Sequence, residues 1–581
     1  MTLTKSYRNN AFLSLLGFTF KKNLGFTLIA VLIALLIGPF RLIRELFLNG
    51  VTLEDYLGGY IAFPHEQDFA GLGVFLSLLV GVFFIFLILF NFSYLFKKSS
   101  SDAFHSFPLK RSELLLARFI PAFVLSLIPL LVGFTGEALV FAVCRIPTDY
   151  IAVLKLVSYI VSVMALCGGF TLIFAVCSGT GFDAILLMFA IGAGIPLSLA
   201  LTESFASELL HGYSTSSFDF GITAFSSPYV FAAYYLWQLL DSSTSDAFGA
   251  KWYVQVACWA IGIAFTALSV YIYNRRKSEA AGTPYAFRVI PFIISLIVSF
   301  VASILLGIIF SGQDFLTPSF WIFALIGSVL AAITYGAIAS RGFKTVKKSL
   351  VISGVAFALV ITVFLCFATG GFGFETKIPK EEDIKEVSVS FSGEQVIFSK
   401  NELSLVTTLH SDLIDGKGSN EEFLRYVDFD YTLKDGTRLY RAYNLTESFG
   451  ADALFDIYLS QTRIDQIKAT LNKAATKGYL EFTYYNIPKE NSDEFSFNKT
   501  LTTTDFKTLG QLYEKEIKNI TKEEMISAFG YHKDTRQIHL SIREGKDETG
   551  YRYEGMTLYI YDSMSETIEF LENLPNVKTE E

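Results

Sequence analysis

The sequence predicts an α-helical polytopic membrane protein of about nine spans, followed by a C-terminal α+β domain on the extracytoplasmic side. Three observations carry that prediction. The 581 residues are 52% hydrophobic and only 18% charged, against about 25% charged in an ordinary soluble domain. Uninterrupted apolar runs of about 20 residues, the length that crosses about 30 Å of hydrocarbon, recur before Phe374. Charge divides at the same point: residues 1–374 hold 22 Lys+Arg and 17 Asp+Glu, and the remainder holds 25 and 38. The acidic tail lacks the concentrated cationic surface that a nucleic-acid partner requires, so no nucleic acid is expected.

The stretch 1–23 reads as a cytoplasmic or interfacial N-terminal helix. Lys5, Arg8, Lys21 and Lys22 precede a full-length span rather than a short apolar core with a cleavage site, so a signal anchor is expected. Residues 11–20 between these charges are an apolar decapeptide too short to cross, suited to the interface or to an extension of the first helix. Hydropathy places spans at 24–43, 71–95, 114–131, 151–176, 184–201, 253–273, 289–310, 320–340 and 350–369.

Lys and Arg are retained on the cytoplasmic side, which orients the chain. With the N-terminus inside, three clusters fall in cytoplasmic loops: Lys97 to Arg118, Arg275 to Arg288, and Arg341 to Lys348. Only Arg41, Arg44, Arg145, Lys155 and Lys251 fall outside. An odd number of spans then carries residues 374–581 out. Residues 221–240 break the pattern, being apolar and aromatic but with Ser227, Pro228 and Tyr229 near their start. In a long outer connection they read as a re-entrant or interfacial hairpin, with a full span as the rival.

Beyond Phe374 short alternating runs replace the long ones. Val387, Val389 and Phe391 mark a strand, and residues 426–433 and 438–445 flank Asp435-Gly436 as a hairpin. Residues 463–471 and 506–520 read as amphipathic helices, 538–542 and 556–561 as strands, and 565–574 as a last helix. A strand pair followed by a helix occurs twice in this reading, around Tyr431 and around Tyr559. All five cysteines precede this domain, so it is no disulfide scaffold. The six histidines show no metal-ligand spacing, and no metal site is placed.

Catalytic motifs are missing from the sequence: no GxxxxGK[ST] phosphate loop, no GxSxG elbow, no HExxH and no dinucleotide fingerprint occurs. Glu381 and Glu382 lie in a charged linker, where a solvated run is the ordinary reading. Ion-coupled transport needs ionisable groups near the bilayer centre. Arg118, Glu137, Lys155 and Asp183 instead sit near span ends, where Lys155 can snorkel outward to meet Glu137 in a pair that is either structural or lines an outer vestibule. Energy is therefore expected from outside the chain, which is not read as an enzyme by itself.

The informative loop is KKSSSDAFHSFPLKRSELLLAR, residues 97–118. Its serines and Asp102 offer N-caps for a short amphipathic helix, Pro108 ends it, and Ser112 can cap the third span, with Glu113 near that helix's positive end. The plain alternative is an ordinary basic loop. FHSFPLKRSELLLAR (104–118) resembles the loop of ABC-2 type permeases that carries the helix contacting the nucleotide-binding subunit. NRRKSEAAGTPYAFR (274–288) is similar to the cytoplasmic loop of a Firmicutes group in that family, close to the Ytr acetoin-cluster permeases. The resemblance covers residues 7–288. It implies a permease core at 24–288 with the ABC-2 exporter fold in six spans, to which 289–373 adds three.

On this resemblance Asp102, Phe104, His105, Phe107, Pro108, Lys110 and Arg111 would form the coupling helix and its flank, with the last two at lipid headgroups. Arg275, Arg276, Glu279 and Gly282 match the second loop. The implied function is the permease subunit of an ATP-driven exporter in a bacterial plasma membrane, moving an amphipathic, peptide, lipid or antimicrobial-type substrate. The implied partners are an ATPase subunit that holds ATP and Mg²⁺, a second permease, identical or not, and membrane lipid. No cofactor is expected on this chain. A reading of another class is a membrane-anchored sensor or envelope-binding protein whose exterior domain recognises a ligand, with Tyr440, Tyr443 and Tyr484 as candidate contacts. A secondary transporter is a third, weakened by the missing midplane charges.

Overall fold

The structure, a computed structural model, describes residues 5–47, 65–144, 150–213, 223, 225–241, 252–312, 314–399, 401–417, 424–486, 496–529, 536–547 and 550–575. It divides into two compact units: Met1–Thr202 with Phe220–Thr362, and Glu203–Asp219 with Val363–Glu581. The second unit thus begins ahead of the expected boundary at 374 and takes in the end of the fifth span.

In the helical unit, α1 (Lys5–Leu35) runs unbroken through residues 11–20. The separate helix expected at 1–23 is an extension of the first span. Its polar residues are absorbed by the next span helix: Asn23 donates to Asn91 Oδ1 at 2.9 Å, and the Lys22 ammonium lies 4.0 Å from the Phe90 ring centre. A π turn at Leu36–Phe40 contains Pro39 and leads into α2 (Arg41–Phe47). Next come α3 (His65–Asn91), α4 (Lys98–His105), α5 (Arg111–Val143), α6 (Tyr150–Cys177), α7 (Gly181–Gly192) and α8 (Gly194–Leu209). They are followed by α9 (Pro228–Asp241), α10 (Trp252–Arg275), α11 (Ile290–Ser311), α12 (Pro318–Ser340) and α13 (Val346–Ala368).

Among the described residues, nine helices are long and apolar enough to cross a membrane, the number hydropathy predicts. The fifth of them, Gly181–Leu209, is not one rod. Pro196 has no N–H to offer the carbonyl four residues earlier, and the helix breaks between Gly192 and Gly194. The charge pairing also differs from expectation. Pro39 seats against Gly136 of α5, where a Cβ would lie 2.8 Å from the ring. That contact delivers Arg41 to the fully buried Glu137, at 3.5 Å. Lys155, the expected partner of Glu137, stays exposed.

The second unit is mixed, with two four-stranded antiparallel sheets of order β2-β1-β3-β4 and β6-β5-β7-β8. The strands are β1 (Ile384–Phe391), β2 (Glu394–Phe398), β3 (Arg425–Leu433), β4 (Arg438–Leu445), β5 (Tyr479–Tyr485), β6 (Ser496–Asn498), β7 (Arg536–Asp547) and β8 (Gly550–Ile560). The helices are α14 (Leu403–Asp415), α15 (Ala451–Tyr458), α16 (Gln461–Lys477), α17 (Thr503–Glu516), α18 (Lys522–Phe529) and α19 (Ser565–Asn573). The two sheets share one strand order, and strand pair, helical segment, strand pair, helical segment occurs twice, the segment being two helices long at α15–α16 and at α17–α18. The repeat expected around Tyr431 and Tyr559 therefore extends over both whole halves. One core runs through both, including Val387, Phe429, Leu471, Phe506, Leu540 and Leu571.

A buried ion pair ties the halves. Arg463 on α16 holds Glu394 of β2 through Nε at 2.7 Å and a terminal nitrogen at 2.8 Å. It also donates to Tyr513 of α17 at 3.2 Å and stacks 3.6 Å over Tyr458. A second polar cluster joins the sheet to the segments entering this unit. Tyr443 bonds His410 Nε2 at 2.8 Å, and its ring centre lies 5.1 Å from that of His211. Arg441 stacks 3.6 Å over Phe374 and donates to its carbonyl at 3.1 Å. Glu375 accepts from the His211 amide at 2.9 Å and pairs with Lys417 at 2.6 Å. Ala442 of β4 donates to Gly212 O at 3.2 Å. Gly212 has φ +79°, and a Cβ there would lie 2.5 Å from the Tyr443 ring.

Candidate functional site

The loop after the second span and the loop after the sixth meet at one end of the helical unit. Helix α4 forms without the expected side-chain cap: Lys97 precedes it in extended conformation, and Asp102 lies inside it. Ser101 is buried instead, its amide bonded to Lys97 O. The helix ends at His105, ahead of Pro108, with the Ser106 hydroxyl closing on Ala103 O at 2.7 Å. Helix α5 starts at Arg111, so Ser112 is not its cap. Glu113 reaches back to the Lys110 amide at 3.0 Å, placing its charge on the helix's positive end as expected.

The inner face of α4 is clamped. Phe104 packs on Tyr94 with ring centres 4.8 Å apart, and the Arg118 guanidinium sits 4.3 Å from the Phe104 centre. Such stacking suits a planar cation held out of water. Arg118, only 2% exposed, also donates to Asn91 O at 3.1 Å. His105 Nε2 bonds the Tyr273 hydroxyl at 2.8 Å, and that hydroxyl meets Tyr94 OH at 3.0 Å. Burial, helped by Arg111 and Arg276, holds the His105 imidazole below its usual range.

Two arginines lock the loops by capping helix ends. Arg111 donates to the carbonyls of Tyr273 and Asn274 at 3.2 Å and of Arg276 at 2.6 Å. These carbonyls lie at the C-terminal end of α10, where a cation is favoured. Arg276, 3% exposed, donates to Ser178 O at 2.6 Å, to Leu95 O at 2.9 Å and to Val176 O. One side chain therefore ties the ends of the second, fourth and sixth spans. The loop continues as a bridge between Ser178 and Tyr285, with Gly282 N on Gly179 O at 2.9 Å. Gly282 takes φ +83°, and Arg341 donates to its carbonyl at 3.3 Å.

The sequence-predicted residues thus separate by direction. Phe104, His105, Arg111 and Arg276 face the protein, while Asp102, Phe107, Pro108, Lys110, Arg275, Glu279 and Gly282 are exposed. Phe107 keeps 43% of its surface free. Tyr94 and Tyr273 escape the sequence reading. Their signal was available, since each closes an apolar run just before a basic cluster, where amphipathic rings collect.

The other predicted trio starts α9. Pro228 occupies its first turn, and the buried Ser227 Oγ accepts from Tyr229 N at 3.3 Å. Tyr229 OH bonds Thr171 Oγ1 at 2.8 Å, and Cys167 donates to Pro228 O at 3.4 Å. These 14 residues rise about 21 Å, short of a 30 Å hydrocarbon core. Residues 221, 222 and 224, where the other limb of the expected hairpin falls, lie outside the described residues. An apolar pocket of about 210 Å³ beside this start is lined by Ser77, Tyr159, Cys167 and Tyr229 among others. Among the described residues, no group of three His, Cys, Asp or Glu could hold a metal. Comparison with known proteins gives no match to a family model, a curated protein or a solved structure.

Proposed function

We propose that this chain is the membrane-spanning permease subunit of an ATP-driven exporter of the ABC-2 type. Its N-terminus and docking loops lie in the cytoplasm, and its acidic domain lies outside. A separate ATPase, holding ATP and Mg²⁺, docks on Asp102, Phe107, Pro108 and Lys110. The observation that carries the reading is the two-faced α4. Its inner face is fixed to the second, third and sixth spans through Phe104, His105 and Arg118, while its outer corner presents an aromatic ring and a proline to solvent. A helix so held passes force to the spans instead of absorbing it. ATPase closure would rock α5 and α10 together in a rigid-body switch. A second permease completes the transporter, and the cargo is an amphipathic, peptide, lipid or antimicrobial-type molecule moved outward.

The sensor reading is weakened because two of its three named aromatics, Tyr443 and Tyr484, are buried in the sheets. Phe107→Asp is the test. It should cut ATPase copurification in mild detergent about tenfold or more, with a smaller loss of thermal stability than Phe104→Asp causes, since the Phe107 ring only rests edge-on against Phe104 at 5.3 Å. Phe104→Asp should lower both. Undiminished copurification with the Phe107 variant would sink the docking claim.

A further inference from the structure

A cavity of about 1250 Å³ opens beside the loop after the sixth span, between that loop, the start of α11, the end of α12 and the start of α13. Its charge is one-sided. Arg275, Lys277, Arg288, Lys347 and Lys348 line it against the single carboxylate of Glu279. None of these five cations forms an ion pair with a carboxylate among the described residues. Its lining is otherwise largely apolar, with Phe292, Val351 and Ile352 on the two flanking helices. Ser295, 2% exposed, also lines it, and its hydroxyl has no hydrogen-bond partner. Every one of these cations stands at or just beyond the end of a membrane-length apolar helix, the depth at which lipid headgroups lie. The volume exceeds that of a usual small-molecule pocket, about 300–1,000 Å³.

We infer that this cavity binds the headgroup of an anionic phospholipid. Its phosphate would sit among Arg288, Lys347 and Lys348 with Ser295 as a hydroxyl donor, and its acyl chains would run along the apolar flank of α11 and α13. Cation excess argues against a zwitterionic lipid, whose own ammonium would be repelled. Basic pockets between spanning helices are a recurrent answer to this chemistry, with each cation near the surface contributing about 1 kcal/mol, close to five-fold in affinity. The inference stands apart from the proposed export activity and needs no ATPase.

The test is native mass spectrometry of the full-length protein in mild detergent, titrated with dioleoylphosphatidylglycerol or dioleoylphosphatidylcholine. Retention of phosphatidylglycerol at lower lipid concentration than phosphatidylcholine is expected. Lys347→Gln with Lys348→Gln should weaken phosphatidylglycerol retention about 25-fold, taking the per-cation effect twice, and leave phosphatidylcholine unmoved. Lys97→Gln with Lys98→Gln, exposed cations away from the cavity, should change neither. Equal retention of the two lipids, or equal losses in both double variants, would overturn the site in favour of diffuse surface charge. Displacement of the lipid by glycerol 1-phosphate at matching concentration would overturn the lipid in favour of a free phosphate ligand. Dissociation of a dimer by the cavity variant without a change in lipid retention would assign the face to a second copy instead.

Discussion

At the scale of single residues, polar groups are placed where one side chain satisfies several backbone carbonyls or joins two elements. Arg276 and Arg111 do the first, and His410 does the second. His410 is fully buried, with Nδ1 at 2.9 Å from Tyr431 OH and Nε2 at 2.8 Å from Tyr443 OH. Burial and the nearby Arg441 push its pKa down to about 3. A histidine whose folded pKa lies below its unfolded value near 6.5 leaves stability intact above that value. Stability is then lost as pH falls, because the unfolded chain takes the proton first. Between pH 7 and pH 5 the loss amounts to about 2 kcal/mol. Hydrogen exchange in β3 and β4 peptides, corrected for the intrinsic rate, should therefore show a lower opening free energy at pH 5 than at pH 7. In His410→Gln the domain starts less stable and loses this share of the slope; an unchanged slope would show that His410 does not titrate as argued.

At the scale of elements, length and hydropathy made the nine spans legible, because crossing hydrocarbon demands a long apolar run whatever the packing. The hairpin at Asp435-Gly436 was legible for a local reason too, with Gly436 supplying φ +87°. The caps and joints were not. Arg276 reads in the sequence as one more cytoplasmic cation, and only the fold brings Val176, Ser178 and Leu95 to it. The continuity of α1 and the Arg41–Glu137 pair likewise depend on neighbours distant in sequence. Gly179 belongs with these joints, since a Cβ there would lie 1.9 Å from Thr283 O and 2.3 Å from Ala280 O, both backbone atoms. Gly179→Ala should push the turn after the fourth span away from the loop after the sixth, at about 1–3 kcal/mol of overpacking, lowering the midpoint of thermal unfolding. Gly17→Ala, in α1 with nothing within 4 Å, should be neutral or slightly stabilising. Equal effects from the two substitutions would remove the loop joint from the account.

At the scale of the whole molecule, the boundary between the units differs from the one composition suggests. Charge changes sign after residue 374, but Val363 onward and Glu203–Asp219 both belong to the second unit. The reason lies in the cluster around Tyr443: Gly212, His211 and Glu375 come from segments that continue two different spans, and β4 and α14 hold them together. The duplicated domain therefore fastens the ends of the fifth and ninth membrane-length helices to each other. Spin labels at Glu208 and Thr376, both exposed, introduced as cysteines into a chain cleared of its five native cysteines, report on this directly. Their distance distribution by pulsed electron resonance should be narrow. In Gly212→Val, where the added side chain must displace the Tyr443 ring, the distribution should broaden. A distribution in the unsubstituted protein as broad as that of Gly212→Val would mean that the two ends move independently and that the domain does not fasten them.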